Sequence, residues 1–249
     1  MSFADDELDR YARHIVLHDF GGAGQARLKS ATIALVGAGG IGSPAIQYLA
    51  GAGVGRLLLI DDDRVDASNL HRQTIYAGAD AGTLKVEAAG AAVARLNPHV
   101  AVEVRSARLD AGNAARLLAG ADAVVDGSDG FATRLAVADA ALALRVPLVS
   151  ASVARFEGQL GVYRGWEPSL PCYRCFVGSA PERAGGSCAE DGVIGPAAGV
   201  MGTLAALEAV RAVSPFGKDP AGKLLLVDLL ALRFRAISLP KDPGCPACS

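Results

Sequence analysis

Three groups of residues in this chain could do chemistry. The first is Gly37-Ala38-Gly39-Gly40-Ile41-Gly42, which fits G-x-G-x-x-G with one further glycine, Gly40. Backbone N–H groups bared by Gly37, Gly39 and Gly42 can approach a phosphate. A helix beginning near Ile41 turns its positive end towards the same anion. The second group is the polar run from Asp61-Asp62-Asp63-Arg64 to Ser68-Asn69-Leu70-His71-Arg72-Gln73. Asp61 follows the glycines at the distance at which an acid accepts hydrogen bonds from a ribose. Asn69 and Arg72 stand three apart, so one helical turn puts both on one face. A guanidinium there suits the planar, bidentate contact that a polyphosphate offers. The third group is Cys172-Tyr173-Arg174-Cys175 with Cys245-Pro246-Ala247-Cys248. These are two C-x-x-C pairs, and four thiolates make a closed tetrahedral zinc site.

Each group has a plainer reading. Glycines can merely close a tight turn, and a charge run can be a solvated loop. The position of this run at a strand's carboxyl end, beside the expected phosphate, favours contact. A thioredoxin-like redox role is the rival for the cysteine pairs. Neither pair opens a helix after a strand in the expected pattern, and Pro171 and Pro246 do not suit it. The pairs lie far apart in the chain, so the zinc would be a clasp tying the C-terminal tail to the middle. Lys85 falls in the first turn of an expected helix, where a cation opposes the dipole, which hints at another job. Asp129, in Asp126-Gly127-Ser128-Asp129-Gly130, could ligate Mg²⁺ or cap the helix that follows. Cys188 stands alone in a glycine-rich loop, as inert filler or as a nucleophile. Arg10 and Arg13, on an amphipathic N-terminal helix, read as surface arginines. NAD and ATP both remain open as the nucleotide.

The positioning elements follow from periodicity. Strands are expected at 33–36, 57–60, 100–104, 121–125 and 147–152. Helices are expected at 5–17, from about 41, at 83–96 (ended by Asn97-Pro98), at 111–119 and at 131–144. Residues 21–24 read as a flexible glycine turn. Beyond 153 the βαβ rhythm stops: 159–163 and a hairpin within 223–239 read as strands, and 194–213 as a helix with glycines for close packing. The expected fold is α/β, a Rossmann-like, mainly parallel sheet with helices on both faces, C-terminal antiparallel strands and a zinc-clasped tail. A length of 249 residues, 51% of them apolar, suits one domain. Within it, 1–30 forms a helical arm, 31–153 the nucleotide-binding half and 154–249 the zinc-containing half. A net charge of −2 gives no reason to expect nucleic acid. The acidic N-terminus lacks a signal peptide's apolar core, and no membrane span is expected. The chain reads as cytoplasmic, where five cysteines favour metal or catalysis over disulfides.

GAGGIG, DDD, SNLHRQ, GTLKVE, DGSDG, CYRC, GVIGPAAGVMGTLAALEA and PGCPAC occur in this order. Together they resemble the ThiF/MoeB/HesA family of ubiquitin-activating-like adenylyltransferases, nearest to ThiF, over almost the whole chain. The resemblance implies ATP·Mg²⁺-dependent adenylation of the C-terminal glycine carboxylate of a ubiquitin-like sulfur carrier ending in Gly-Gly, of thiamine or molybdopterin type. It places Gly37, Gly39, Gly40 and Gly42 against the nucleotide and Asp61 on the ribose. Asn69, Arg72 and Lys85 hold the triphosphate, Asp63 and Gln73 line the same site, and Asp129 takes the Mg²⁺. Arg13 matches an arginine lent to the neighbouring subunit's ATP, which implies a homodimer. Cys188 matches a cysteine used in later sulfur transfer, and the half from 154 to 249 would bind the carrier. The chain departs from the family pattern in two places: Asp126-Gly127-Ser128-Asp129-Gly130 stands where Asp-Cys-Thr-Asp-Asn is usual, so that Gly130 replaces an asparagine, and His71 stands where glutamine is usual. No rhodanese domain follows the clasp in this sequence, so the sulfur donor is expected to be a separate protein. The chemistry needs no general base, because a carboxylate is already ionised at neutral pH. It needs charge neutralisation and in-line geometry instead. The rivals are an NAD-dependent oxidoreductase, for which no tyrosine is followed four residues on by lysine, and a nucleotide-binding scaffold with a degenerate site.

Overall fold

Strands β1 (Thr32–Val36) and β2 (Arg56–Ile60) are almost wholly buried, as continuous apolar runs must be when helices cover both faces of a parallel sheet. They belong to an eight-stranded sheet in a computed structural model that describes residues 3–178 and 192–249. The other strands are β3 (Ala101–Arg105), β4 (Ala123–Asp126), β5 (Leu148–Ala154), β6 (Glu157–Tyr163), β7 (Lys223–Asp228) and β8 (Arg233–Ser238). Their order is β3-β2-β1-β4-β5-β6-β7-β8, parallel from β3 to β5 and antiparallel from β5 to β8. The chain runs outward from β1 to β3, then returns to place β4 on the other flank of β1. That reversal makes a switch point between β1 and β4, and a crevice opens above their carboxyl ends.

Helices α1 (Asp5–Ile15) and α2 (Gly21–Ser30) form the arm. They are followed by α3 (Gly42–Ala52), α4 (Lys85–Leu96), α5 (Ala114–Leu118), α6 (Phe131–Leu144), α7 (Tyr173–Val177) and α8 (Gly195–Val213). Alternate strand residues divide the core. Ile33, Leu35, Leu57 and Leu59 pack with Ile46 and Leu49 of α3, Val86 and Val93 of α4, and Met201 of α8. Ala34, Val36, Leu58 and Ile60 pack with Leu117 of α5, Val137 of α6 and Tyr173 of α7. Helix α8 is the one described helix long and apolar enough by composition to cross a membrane. It is seated on α3, β5 and β6 through a stripe of small residues, Ala198, Gly202, Ala206 and Ala209.

The glycines at 21–24 do not form a turn. They open α2, because tertiary contacts override their poor propensity. Gln25 is buried there and donates from Nε2 to the Ala52 carbonyl at 2.8 Å, while Leu28 is fully buried in the core. The remaining elements shift by a few residues at their ends, as fraying termini do.

Gly202 sets the depth at which α8 seats, because a Cβ there would collide with the Ile41 carbonyl. Gly202→Ala should lower the unfolding midpoint by roughly 3–10 °C, the cost of overpacking a close backbone contact. A parental midpoint in thermal unfolding would show that this contact is not what seats the helix.

Candidate functional site

The glycine loop is held by its backbone. Gly37 has φ +87°, a left-handed conformation that glycine alone adopts without strain. A Cβ on Gly42 would collide with the Gly37 carbonyl oxygen, so the strand-to-helix turn closes only with glycine there. Asp61, just past β2, accepts the Ala38 N–H at 2.7 Å through Oδ2 and the Asp63 N–H at 2.8 Å through Oδ1. From the other side the buried Tyr76 hydroxyl donates to the Ala38 carbonyl at 2.8 Å. The loop is pinned before any ligand arrives. Burial pushes the Asp61 carboxyl up from its ordinary value, against the pull of Lys85 and of the two backbone N–H groups.

Above the loop lies a cleft of about 340 Å³. Its lining brings together Gly37, Gly39, Gly40, Asp61, Asp63, Asn69, Arg72, Gln73, Lys85 and Asp129. Gly42 stands behind the lining and shapes the turn. Asn69 ends a 3-10 turn (Ala67–Asn69), and its carbonyl accepts the N–H groups of Arg72 at 3.1 Å and Gln73 at 3.0 Å. That is the single turn expected to gather Asn69 and Arg72. Lys85 opens α4 and is buried, with Nζ 2.7 Å from the exposed carboxylate of Asp63. The pair answers the dipole anomaly: Asp63 offsets a cation that the helix end disfavours. Gln73 is buried, and its Oε1 has no hydrogen-bond partner among the described residues. A buried acceptor with nothing to accept is costly, and a hydroxyl or amino group of a bound nucleotide would satisfy it.

Asp129 does not cap α6. Gly130 holds the N-cap position, and no side-chain bond is made there. The Asp129 side chain is exposed at the cleft instead, where one carboxylate and substrate phosphates are the usual ligands of Mg²⁺.

The four cysteines converge. Sγ–Sγ separations are 3.6 Å for Cys172–Cys245, 3.4 Å for Cys175–Cys248 and 3.8 Å for Cys172–Cys175. A tetrahedron with Zn–S bonds of about 2.3 Å has edges of about 3.8 Å, so the set fits zinc. The Asp242 N–H points to Cys175 Sγ at 3.5 Å, an outer contact of the kind that orients thiolate ligands. The first pair opens a short helix, with Cys172 as the N-cap of α7. That helix has five residues and follows no adjacent strand, so the redox context is still missing.

The ThiF family profile matches residues 11–247. The chain belongs to the ThiF family. It is 45% identical over 254 residues to the sulfur carrier protein adenylyltransferase of Thermus thermophilus, covering 100% of this chain and 93% of the relative. It is 42% identical over 245 residues to the molybdopterin-synthase adenylyltransferase of Escherichia coli, covering 98% of each. The fold matches the solved structure of E. coli MccB with ATP, with a TM-score of 0.83 at 23% identity, over 96% of this chain and 74% of that one.

In this ThiF-family chain one residue assigned to the site, Arg13, stands apart from the cleft. Arg13 is exposed on α1 and does not line it. Cys188 lies outside the described residues. Gly130 is not demanded by the backbone, since a Cβ there would meet only ordinary contacts with Thr133. The structure also adds residues that the sequence reading missed. Arg134, one turn into α6, forks from Nε and Nη2 onto the Ser128 carbonyl at 2.9 and 2.6 Å. Asp126, fully buried, accepts the Ser128 N–H at 3.1 Å and hydroxyl at 2.7 Å. Arg134 carried the same signal as Lys85, a cation near a helix N-terminus.

Two outcomes are expected. Purified protein should carry about one zinc per chain, and Cys248→Ser should lower that content and expose the tail to proteases. Metal analysis that finds no zinc would remove the clasp. Nucleotide affinity should weaken on the acid side at a higher pH than an ordinary aspartate, about 3.9, dictates. The reason is that Asp61 accepts a hydroxyl better as the anion and its carboxyl is shifted up. Asp61→Asn should flatten that limb, and an unchanged limb in a binding titration rules Asp61 out as its source.

Proposed function

We propose that this chain adenylates the C-terminal glycine carboxylate of a ubiquitin-like sulfur carrier, using ATP·Mg²⁺ and releasing pyrophosphate, in preparation for thiocarboxylate formation. The observation that carries the reading is the grouping of Arg72, Lys85, Gln73 and Asp129 around the pinned glycine loop at the sheet's switch point. The names of the relatives support it. The carboxylate oxygen attacks the α-phosphorus as the bond to the β-phosphate oxygen breaks, and no proton moves. Both partners are anions, so positive charge and alignment dominate. The glycine-loop N–H groups and the α3 N-terminus cradle phosphate, Asp61 holds ribose, and Asn69, Arg72 and Lys85 hold the triphosphate. Asp129 would hold the Mg²⁺, which supplies further charge neutralisation.

Carrier access is supported by the antiparallel half. The β5–β6 and β7–β8 turns lie at the cleft end of the sheet, where the Leu229 N–H donates to the Phe156 carbonyl at 2.9 Å. Phe156, Leu230, Leu232 and Phe234 are exposed there, with Leu230 and Leu232 at 76% and 77%. A carrier docked on them would send its tail over Val153 and Val193 into the cleft, which both residues line. A homodimer belongs to the same proposal. Arg13 stands on the arm near an apolar groove lined by Leu17, Tyr48 and Leu207, and two-fold pairing there would carry it to the partner's site. Sulfur then arrives from a separate donor protein, with Cys188 as the candidate thiol, in a cytoplasmic setting.

ATP–pyrophosphate exchange with a carrier ending in Gly-Gly is the test. Exchange should depend on the carrier, and Arg72→Ala should cut it by about a hundredfold or more at an unchanged unfolding midpoint. Arg13→Ala mixed with Arg72→Ala should recover activity in heterodimers carrying one intact site. Clear ATP binding without exchange across several carriers argues for a degenerate nucleotide-binding scaffold.

A further inference from the structure

Ser128 stands one residue before Asp129, and every polar group it has is engaged. Asp126 accepts its N–H at 3.1 Å and its hydroxyl at 2.7 Å through one carboxylate oxygen. The Ser150 hydroxyl of β5 lies 3.4 Å from the other oxygen of that carboxylate. Arg134 donates to the Ser128 carbonyl through Nε at 2.9 Å and Nη2 at 2.6 Å. The residue is gripped at both ends. A buried acid at the end of β4 holds it from beneath, and a guanidinium one turn into α6 holds it from the side.

The second grip falls on the peptide unit that leads into Asp129. That unit is planar, so the Ser128 carbonyl and the Asp129 N–H turn together. Their direction sets the direction in which the Asp129 side chain leaves the chain. Gly127 and Gly130 flank the pair, and glycines alone would leave such a loop free to turn. Two donors converging on one oxygen fix its direction as well as its distance. The rigid guanidinium fork supplies both, and a single ammonium does not. Arg134 also lines the cleft, but these two nitrogens are committed to the loop.

We propose that Arg134 is a positioning residue for the adenylation reaction: its fork on the Ser128 carbonyl, set against the Asp126 anchor, aims the Asp129 carboxylate at the Mg²⁺ of the incoming nucleotide. Arg134 acts through Asp129 and not on substrate. The inference rests on the adenylation reading, in which Asp129 holds Mg²⁺. Two plainer roles compete with it. The fork could only brace the start of α6, whose N-cap, Gly130, makes no side-chain bond. The guanidinium could instead bind phosphate directly.

The readout that separates these is the Mg²⁺ concentration that half-saturates binding of a non-hydrolysable ATP analogue, measured by calorimetry beside the Mg²⁺-free affinity. Arg134→Met keeps the stem and removes the donors. Its Mg²⁺ requirement should rise roughly tenfold, the contribution of one hydrogen bond from a charged group. Mg²⁺-free affinity should stay parental. Arg134→Lys keeps the charge without the fork, and its requirement should rise by part of that amount; it decides where Arg134→Met does not fold. In an Asp129→Asn background neither substitution should raise the requirement further, because the pair acts as one unit. A parental Mg²⁺ requirement in the folded variants, with or without a lowered unfolding midpoint, leaves only the brace and overturns the inference while adenylation stands. A loss of Mg²⁺-free affinity, or effects that add to those of Asp129→Asn, marks an independent phosphate contact and overturns it as well. A parent whose analogue binding ignores Mg²⁺ overturns the adenylation reading together with the inference.

Discussion

The structure depends on one close approach of backbone to backbone. The Gly37 carbonyl occupies the space that any side chain at residue 42 would fill. Because that space is empty, β1 turns into α3 within six residues and the helix N-terminus faces the crevice. The same turn puts the Ala38 N–H within reach of Asp61 and the Ala38 carbonyl within reach of Tyr76. A phosphate site made of main-chain donors needs no charged side chain to be preorganised. It needs the donors held still, and the hydrogen bonds to Ala38 do that at both ends of one residue.

The charged side chains are arranged around this frame in a second way. Lys85 and Arg134 both sit near helix N-termini that repel them, and each is tied to an acceptor: Lys85 to Asp63, Arg134 to the Ser128 carbonyl. A cation such as Lys85, held at an unfavourable helix end by a weakly committed partner, is available to an incoming anion. Asp63 is largely exposed, so the ion pair it makes with Lys85 is screened and gives way at little cost. Lys85 is thus kept at the cleft by a pair loose enough to leave it responsive, while Arg134 is held more firmly by its fork on the Ser128 carbonyl.

Much of this was legible in the sequence, for physical reasons that differ by element. The strands β1, β2 and β4 are apolar on both faces, so their burial and parallel pairing followed from composition. The glycine loop, Asp61 and the Asn69–Arg72 turn are local motifs whose geometry the chain fixes over a few residues. The paired cysteines carried their own geometry in the x-x spacing. What was not legible depends on contacts between distant segments. Helix α2 forms because Gln25 finds the Ala52 carbonyl, which no local pattern shows. Whether Asp129 caps α6 depends on where α6 begins, and a one-residue difference in the cap settles it as Gly130. Asp126 and Arg134 gain their roles only when β5 and α6 bring Ser150 and Ser128 to them. Arg13 is exposed on α1 and does not line the cleft of its own chain, a placement that its helical spacing alone could not settle.

The sheet itself joins the two halves that the sequence divided at residue 153. β5 is parallel to β4 and antiparallel to β6, so it ends at the nucleotide crevice and the chain turns straight back from there. The same strand therefore delivers Ser150 beneath the Asp126 loop and Val153 to the cleft wall. Antiparallel strands beyond β5 add a surface that grows outward from the crevice, with its turns at the crevice end. A parallel strand in their place would need a crossover helix on one face, and that helix would bury the surface. The change from parallel to antiparallel at β5 is thus what allows one sheet to carry the glycine-loop cleft at its centre and an open edge with exposed apolar side chains beside it.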